Sequence, residues 1–249
     1  MYKPGKFNFR ASYAAGFRTP TLSELYATDI AKKNDRLTIG NLDLKPEKNN
    51  YFSLSAEYVH ERFSVSVNAF YNNIRDMIDY NTIATGDKAM EQYGHKEVRQ
   101  RDNIAEAKVH GINVSANAYL GAGFNLSGGY THLNTQDVEL EQPIDKSIKN
   151  AYNINAQWTH SWKIYRLNIN LNGRFNSKRF SKSYGYAPEY QLWDLNTRHS
   201  FNLKSVIIEP GCGMENLFDY MDDRPYNSNY ATLTPGRSFY ISLSLKFKS

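Results

Sequence analysis

Apolar and polar side chains alternate through almost the whole chain. Near the C-terminus Phe239, Ile241, Leu243, Leu245 and Phe247 alternate with Ser238, Tyr240, Ser242, Ser244 and Lys246. Earlier, Leu167, Ile169, Leu171 and Phe175 alternate with Asn168, Asn170, Asn172, Arg174 and Asn176. Successive side chains of a strand point to opposite faces, so each segment has one apolar and one polar face. Strands are predicted at about 6–15, 49–59, 63–73, 104–119, 124–133, 151–160, 167–176, 190–202, 205–215 and 237–247. The same beat places Phe63, Val65 and Val67, and again Ile112, Val114 and Ala116, on apolar faces. Asn113, Ser115 and Asn117 fall on a polar one.

The joints fall into two classes that alternate along the chain. Tight turns lie near His60-Glu61-Arg62, Gly121-Ala122-Gly123, Ser161-Trp162-Lys163 and Asn202-Leu203-Lys204. Long loops cover about 16–48, 75–103, 134–149, 177–189 and 216–236. Short turns at one end and long loops at the other are the pattern of outer-membrane barrels, whose short turns are periplasmic. A soluble sandwich also alternates apolar and polar positions, but nothing in it segregates loop lengths this way. The fold predicted is all-β: an antiparallel transmembrane β-barrel segment of about ten strands.

Composition agrees. No stretch approaches the roughly 20 apolar residues of a spanning helix, whereas a spanning strand needs about 9–11 with only one face apolar. The 19 Tyr and 13 Phe supply aromatic girdles. Cys212 is the only cysteine, so no internal disulfide is possible. The net charge of +5 is scattered, with no basic run that would read as a nucleic-acid surface. The N-terminal Met1-Tyr2-Lys3-Pro4-Gly5-Lys6 carries no apolar signal-peptide region, so the chain is expected to begin inside a longer one. Gly121-Ala122-Gly123 has no helix after it and is read as a turn, not a phosphate loop.

Four ordered segments carry a resemblance. Gly16-Phe17-Arg18-Thr19-Pro20, continuing to Glu24-Leu25-Tyr26, is the first, and Gly40-Asn41-Leu42-Asp43-Leu44-Lys45-Pro46-Glu47 the second. Asn103-Ile104-Ala105-Glu106-Ala107 leading to Gly111-Ile112 is the third. The finish is Glu215-Asn216-Leu217-Phe218-Asp219, Tyr226, Pro235-Gly236-Arg237 and Phe247. Together they resemble the C-terminal barrel half of TonB-dependent outer-membrane receptors of the haem, siderophore and cobalamin type. Leu42 stands where the family usually has Pro, Asn113 where Glu is usual, and Lys248-Ser249 follow the terminal aromatic.

The resemblance implies that residues 1–249 are the C-terminal part of a barrel of about 22 strands with a plugged lumen. The plug and the first strands would be absent from this chain. It implies an outer-membrane location in a Gram-negative bacterium and active uptake of a scarce iron-containing ligand, haem or a ferric siderophore. Cobalamin or another nutrient is the alternative within the family. TonB would act through the missing N-terminal segment. Outer-membrane lipid and lipopolysaccharide are further partners; no nucleic acid and no cofactor are implied. From another class, a small self-contained barrel enzyme such as a protease or lipase would need a nucleophile constellation at the rim. No G-x-S-x-G motif occurs, so no catalytic residue is assigned.

Ligand-side candidates follow from loop position and chemistry. Arg75, Arg99, Arg101, Lys178 and Arg179 suit an anionic chelate; Arg18 is a further ligand-side candidate, with a structural role beside Pro20 in shaping the loop entry as its alternative. Tyr184, Tyr186, Tyr226 and Tyr230 suit stacking on a planar one. No His lies within 21–40, so a haem ligand would lean on Tyr26, His95 or His132. A metal site is not assignable from the sequence; Asp219, Asp222 and Asp223 lack the spacing of a calcium loop.

Overall fold

The structure, a computed structural model, describes residues 2, 5–181, 185–222 and 234–248. In chain order the strands are β1 (Phe7–Arg18), β2 (Thr28–Ala31), β3 (Arg36–Ile39), β4 (Glu47–Val59), β5 (Phe63–Thr85), β6 (Glu97–Gly121) and β7 (Phe124–Asp137). They continue as β8 (Asn150–Trp162), β9 (Tyr165–Asn176), β10 (Arg179–Ser181), β11 (Gly185–Ala187), β12 (Tyr190–Asn202), β13 (Val206–Glu215) and β14 (Ser238–Phe247). Two helices, α1 (Leu22–Tyr26) and α2 (Gly86–Tyr93), interrupt the long connections. Ten of the strands form one antiparallel meander, in the order β1-β4-β5-β6-β7-β8-β9-β12-β13-β14. Each predicted strand is present, and the tight turns join consecutive strands at one end of the sheet.

The register fixes which side chains share a face. Val67 lies opposite Val114, and Val114 opposite Tyr130. Further along, Leu126 faces Ala156, Ala156 faces Leu171, and Leu171 faces Leu195. Leu195 then faces Met214, which faces Phe239. Directly opposite residues lie on the same side of a sheet, so the apolar sets of all ten strands form one continuous surface. Ile241 on it is 88% exposed, a state that only an apolar solvent makes favourable. The alternates form a polar surface that bonds to itself. Ser12 and Ser53 share a hydrogen bond at 2.6 Å, and Asn155 donates to Asn170 and Asn172 at 3.0 and 2.6 Å.

Two aromatic belts cross the apolar face. Tyr13 packs on Phe52 and Tyr130 on Tyr152, with both pairs of ring centres 4.6 Å apart. Toward the tight turns, Phe7 packs on Tyr58, Tyr58 on Phe63, and Trp162 on Tyr165. Along β1 the belts are separated by the step from Tyr13 to Phe7, and along β8 by that from Tyr152 to Trp158. Either step is about 20 Å of strand.

The sequence reading of residues 75–103 as one long loop is corrected. β5 and β6 continue well past the apolar band and are bridged by α2. The ladder slips between Ile74 and Met77, and Asp76 takes a left-handed φ of 57°. Two more slips follow, between Met77 and Ile78 and between Thr82 and Ala84, so facing changes more than once along the hairpin, which is why alternation fades there although pairing continues. The loop 16–48 likewise contains α1 and the β2–β3 hairpin, and 177–189 contains the β10–β11 hairpin.

Candidate functional site at the long-loop rim

The first conspicuous segment, Gly16 to Tyr26, forms a knot at the end of β1. Thr21 opens α1 as a capping box: its hydroxyl accepts from the Glu24 amide while the Glu24 carboxylate accepts from the Thr21 amide. Arg18, opposite Glu47 in the ladder, donates to Glu24 at 2.9 Å and bidentately to Glu47. Glu47 also accepts from the Ile78 amide at 2.9 Å, tying the knot to β5. These bonds hold the Glu24 carboxyl down at about 2, first through Arg18 and then through Thr21. Glu47 is lowered for the same leading reason.

The second segment closes the knot. The Gly40 amide donates to the Ala27 carbonyl at 2.8 Å, and the Asn41 amide to that of Glu24 at 3.0 Å. A Cβ on Gly40 would lie 2.5 Å from the Leu25 carbonyl oxygen, so the chain passes only as glycine. Asn103, from the third segment, accepts from the Lys45 amide at 2.7 Å and donates to the Lys45 and Asp76 carbonyls. In the last segment Asn216 adopts φ 51° and donates to the Tyr220 and Pro235 carbonyls. Arg18, Thr21, Glu24, Gly40, Asn41, Asn103 and Asn216, drawn from these four segments, therefore hold the rim's backbone turns.

Above the knot a small lobe stands on the tall hairpin. β3 adds to β6 in parallel, placing Leu37 opposite Val98. Ala84, Ala89 and Val98 form its buried core under Leu37, Ile39 and Tyr93. His95 bonds through Nδ1 to Asp35 at 2.9 Å, and this contact holds the Asp35 carboxyl below the usual carboxylate range. Arg99 is paired with Glu97. Arg101, opposite Tyr80 across the hairpin, places its guanidinium 3.7 Å from the ring centre and has no ion pair among the described residues. Sequence reasoning does not single out Tyr80, because residues 75–103 were read as loop; continued at the register of the spanning part, the β5–β6 ladder brings it to Arg101. Tyr26, at the end of α1, is 67% exposed.

The remaining candidates scatter. Lys178 and Tyr186 line a shallow cavity of about 70 Å³ with Leu133, Pro143, Lys149 and Phe180, in a second cluster formed by residues 138–149 and the β10–β11 hairpin. Arg179 bridges to Ile148 there. Two others point away from the polar face. Arg75 is opposite Lys48, on the side of Phe52 and Tyr71. His132 lies opposite Ile112 and bonds to Asn150 at 2.8 Å on the side of Tyr130. Tyr184, Tyr226, Tyr230 and Asp223 lie outside the described residues. The rim thus brings together Arg18, Tyr26, His95, Arg99 and Arg101 on one lobe, with Lys178, Arg179 and Tyr186 on another. Arg18 and Arg99 are matched by carboxylates, and Arg101 with Tyr80 forms an exposed cationic and aromatic platform.

The family described as "TonB dependent receptor-like, beta-barrel" matches residues 1–217. Among solved structures, a mutant of the ferric enterobactin receptor of Pseudomonas aeruginosa superposes with a TM-score of 0.74 at 20% identity, covering 98% of this chain and 38% of that one. The ferric preacinetobactin receptor of Acinetobacter baumannii gives 0.68 at 17%, covering 97% and 34%. The copper transporter OprC gives 0.70 at 14%, covering 95% and 36%. At these identities the likeness is one of fold. The chain spans well under half the length of each of these proteins.

Proposed function

The chain belongs to the TonB-dependent receptor β-barrel family, and on that premise we propose that residues 1–249 form the C-terminal part of the wall of an outer-membrane receptor. The receptor takes up a scarce iron-containing ligand by active transport. A plug and further strands, contributed by chain outside these residues, complete it, and TonB drives it through that outside segment. The observation that carries this reading is the sheet itself. It has one apolar and one self-bonded polar face, short turns at one end, and folded, charged lobes at the other. Among the described rim residues, Arg18, Glu24 and Glu47 are spent on holding backbone turns.

A ferric siderophore fits better than haem. Two of the similar structures are receptors for ferric siderophores by name. The Arg101–Tyr80 platform suits an anionic, aromatic chelate. The haem reading leans on Tyr26, His95 and His132; His95 is occupied by Asp35 and His132 faces the apolar side, which leaves it Tyr26 alone. The copper transporter among the similar folds keeps a metal other than iron as the second reading.

The test is growth of a strain deleted for the full-length gene, supplied with single iron sources (ferric siderophores, haem) and separately with cobalamin. Complementation by wild type on a siderophore is expected. Replacing Arg101 and Tyr80 by Ala is expected to weaken siderophore uptake roughly tenfold while assembly is kept. Dependence on cobalamin alone would overturn the iron assignment, and full uptake by the double variant would remove the platform from the site.

A further inference from the structure

The polar face of β9 descends from Arg174 near the long-loop rim through Asn172, Asn170 and Asn168 to Arg166 beside the tight turns. From the row of Asn172 downward, every partner of this column on β8 and β12 is an amide, a hydroxyl or a charged side chain. No apolar side chain stands on this wall over about 20 Å of strand. The amides are largely spent on one another. Asn155 donates to Asn170 and Asn172 at 3.0 and 2.6 Å, Asn172 to Asn170 at 2.6 Å, and Asn168 to Thr159 at 2.7 Å. The one carboxylate of these rows, Asp194, accepts from the Asn216 amide at 2.9 Å.

The foot of the column is different. Arg198 stands opposite Asn168, one row above Arg166, so the two arginines are diagonal neighbours about 7–8 Å apart at Cα. Both are exposed, and neither has an ion pair among the described residues. Arg166 donates to the Ser161 hydroxyl at 3.1 Å. Glu209, on the adjoining β13, is taken by Lys246 at 2.6 Å. Two unmatched guanidiniums side by side repel unless an anion lies between them. Each presents a fork that grips carboxylate, phosphate or catecholate oxygens. Both face inward; on the outward side at this depth stand Tyr165 and Phe201, so lipid headgroups meet those rings and not the cations.

We propose, resting on the receptor reading above, that the β8–β9–β12 wall is the side of the lumen along which an anionic ligand leaves the rim, with Arg166 and Arg198 as its anion site at the tight-turn exit. Neutral, mutually bonded amides keep water beside the wall and give the passing ligand no charge to hold it. The two cations at the foot draw an anion toward the exit, since low-dielectric walls focus their field. A folded plug buries apolar side chains and finds them elsewhere. On the polar face of β4–β7 near the rim, Tyr51 stacks on Phe70 at 6.3 Å, with Val109 and Leu133 beside them.

The test uses the full-length receptor in the outer membrane of energised cells, with radiolabelled ferric enterobactin and ferric preacinetobactin as probes. Binding in the cold without energy reads capture at the rim, and uptake at saturating chelate reads passage. The Arg166→Gln, Arg198→Gln double variant is expected to bind within about twofold of wild type and to lose about tenfold in maximal uptake, as for the loss of charge-assisted contacts. The Arg166→Lys, Arg198→Lys variant keeps both charges and is expected to restore about half of the rate or more. Uptake by the Gln variant within about twofold of wild type overturns the route and leaves the receptor reading standing. An equal loss in the Lys variant, or a loss matched by weaker binding at the rim, also overturns it. Leakage of a large antibiotic through the unenergised Gln variant, but not through wild type, would show the arginines holding a plug carboxylate and overturns it too. A wild type that takes up no anionic ferric chelate overturns both readings.

Discussion

Arg18 is chemically fit for two roles, ligand contact and shaping of the loop entry, and its bonds serve the second. Its two carboxylate partners and the Thr21 cap lock the path from β1 into α1 and back to β4. The Glu24 carboxyl, ordinarily near 4.5, is held at about 2 in the folded state, chiefly by Arg18. A depressed folded value means that its stabilisation is complete above about pH 4.5 and disappears as pH falls toward 2. Hydrogen exchange at the Ala27 and Gly40 amides, corrected for intrinsic rates, is therefore expected to accelerate below pH 4. Glu24→Gln should abolish most of that dependence. Arg18→Gln should loosen the knot by about 1 kcal/mol above pH 4.5, as for a well-formed surface pair, and progressively less toward pH 2, where its carboxyl partners are protonated. A pH-flat exchange profile in the wild type would separate the knot from these charges.

At the scale of the strand, facing is decided by which solvent each side meets. Ile169 stands opposite Trp158 and Thr197 on the apolar face, and Asn170 opposite Gln157 and Asn196 on the polar one. Ile169→Arg is expected to cost about 2–4 kcal/mol more than Asn170→Arg, since only the first drives a charge into lipid. Folding yield and heat resistance of the two full-length variants check this; equal behaviour contradicts the register. The same physics explains what could be read from the chain alone. All ten spanning strands were legible because lipid on one side and water on the other force a period of two. The tall part of β5 and β6 was not, because above the membrane both sides meet water or protein, and three ladder irregularities between Ile74 and Ala84 break the parity. At the site, the motif residues were legible as motifs. That they tie turns together required the pairings of Arg18, Asn103 and Asn216. The Arg101–Tyr80 contact follows from the register of the spanning ladder, but only once β5 and β6 are known to continue past residues 73 and 104.

For the whole molecule the decisive quantity is the number of strand edges. The meander runs from β1 to β14 without pairing these two strands to each other. Residue Tyr2 turns back to bond Phe9 on the open side of β1, covering one position of that edge. Each unpaired backbone group in hydrocarbon costs several kcal/mol, so an open sheet of spanning strands is not stable in a bilayer. Side-chain chemistry cannot relieve this; only added strands or a second sheet can. Coverage of 34–38% of the similar barrels agrees with a wall that other strands complete. Residues 1–249 alone are therefore expected to give no heat-modifiable monomer in lipid vesicles, whereas the full-length protein gives one. Pairing of β1 and β14 with added strands should be visible as new protected amides at Phe7, Ala11 and Tyr13, whose neighbour Phe9 already turns its amide away from β4. A stable, heat-modifiable monomer formed by residues 1–249 alone would mean that the sheet closes on itself, and the larger barrel would have to be abandoned.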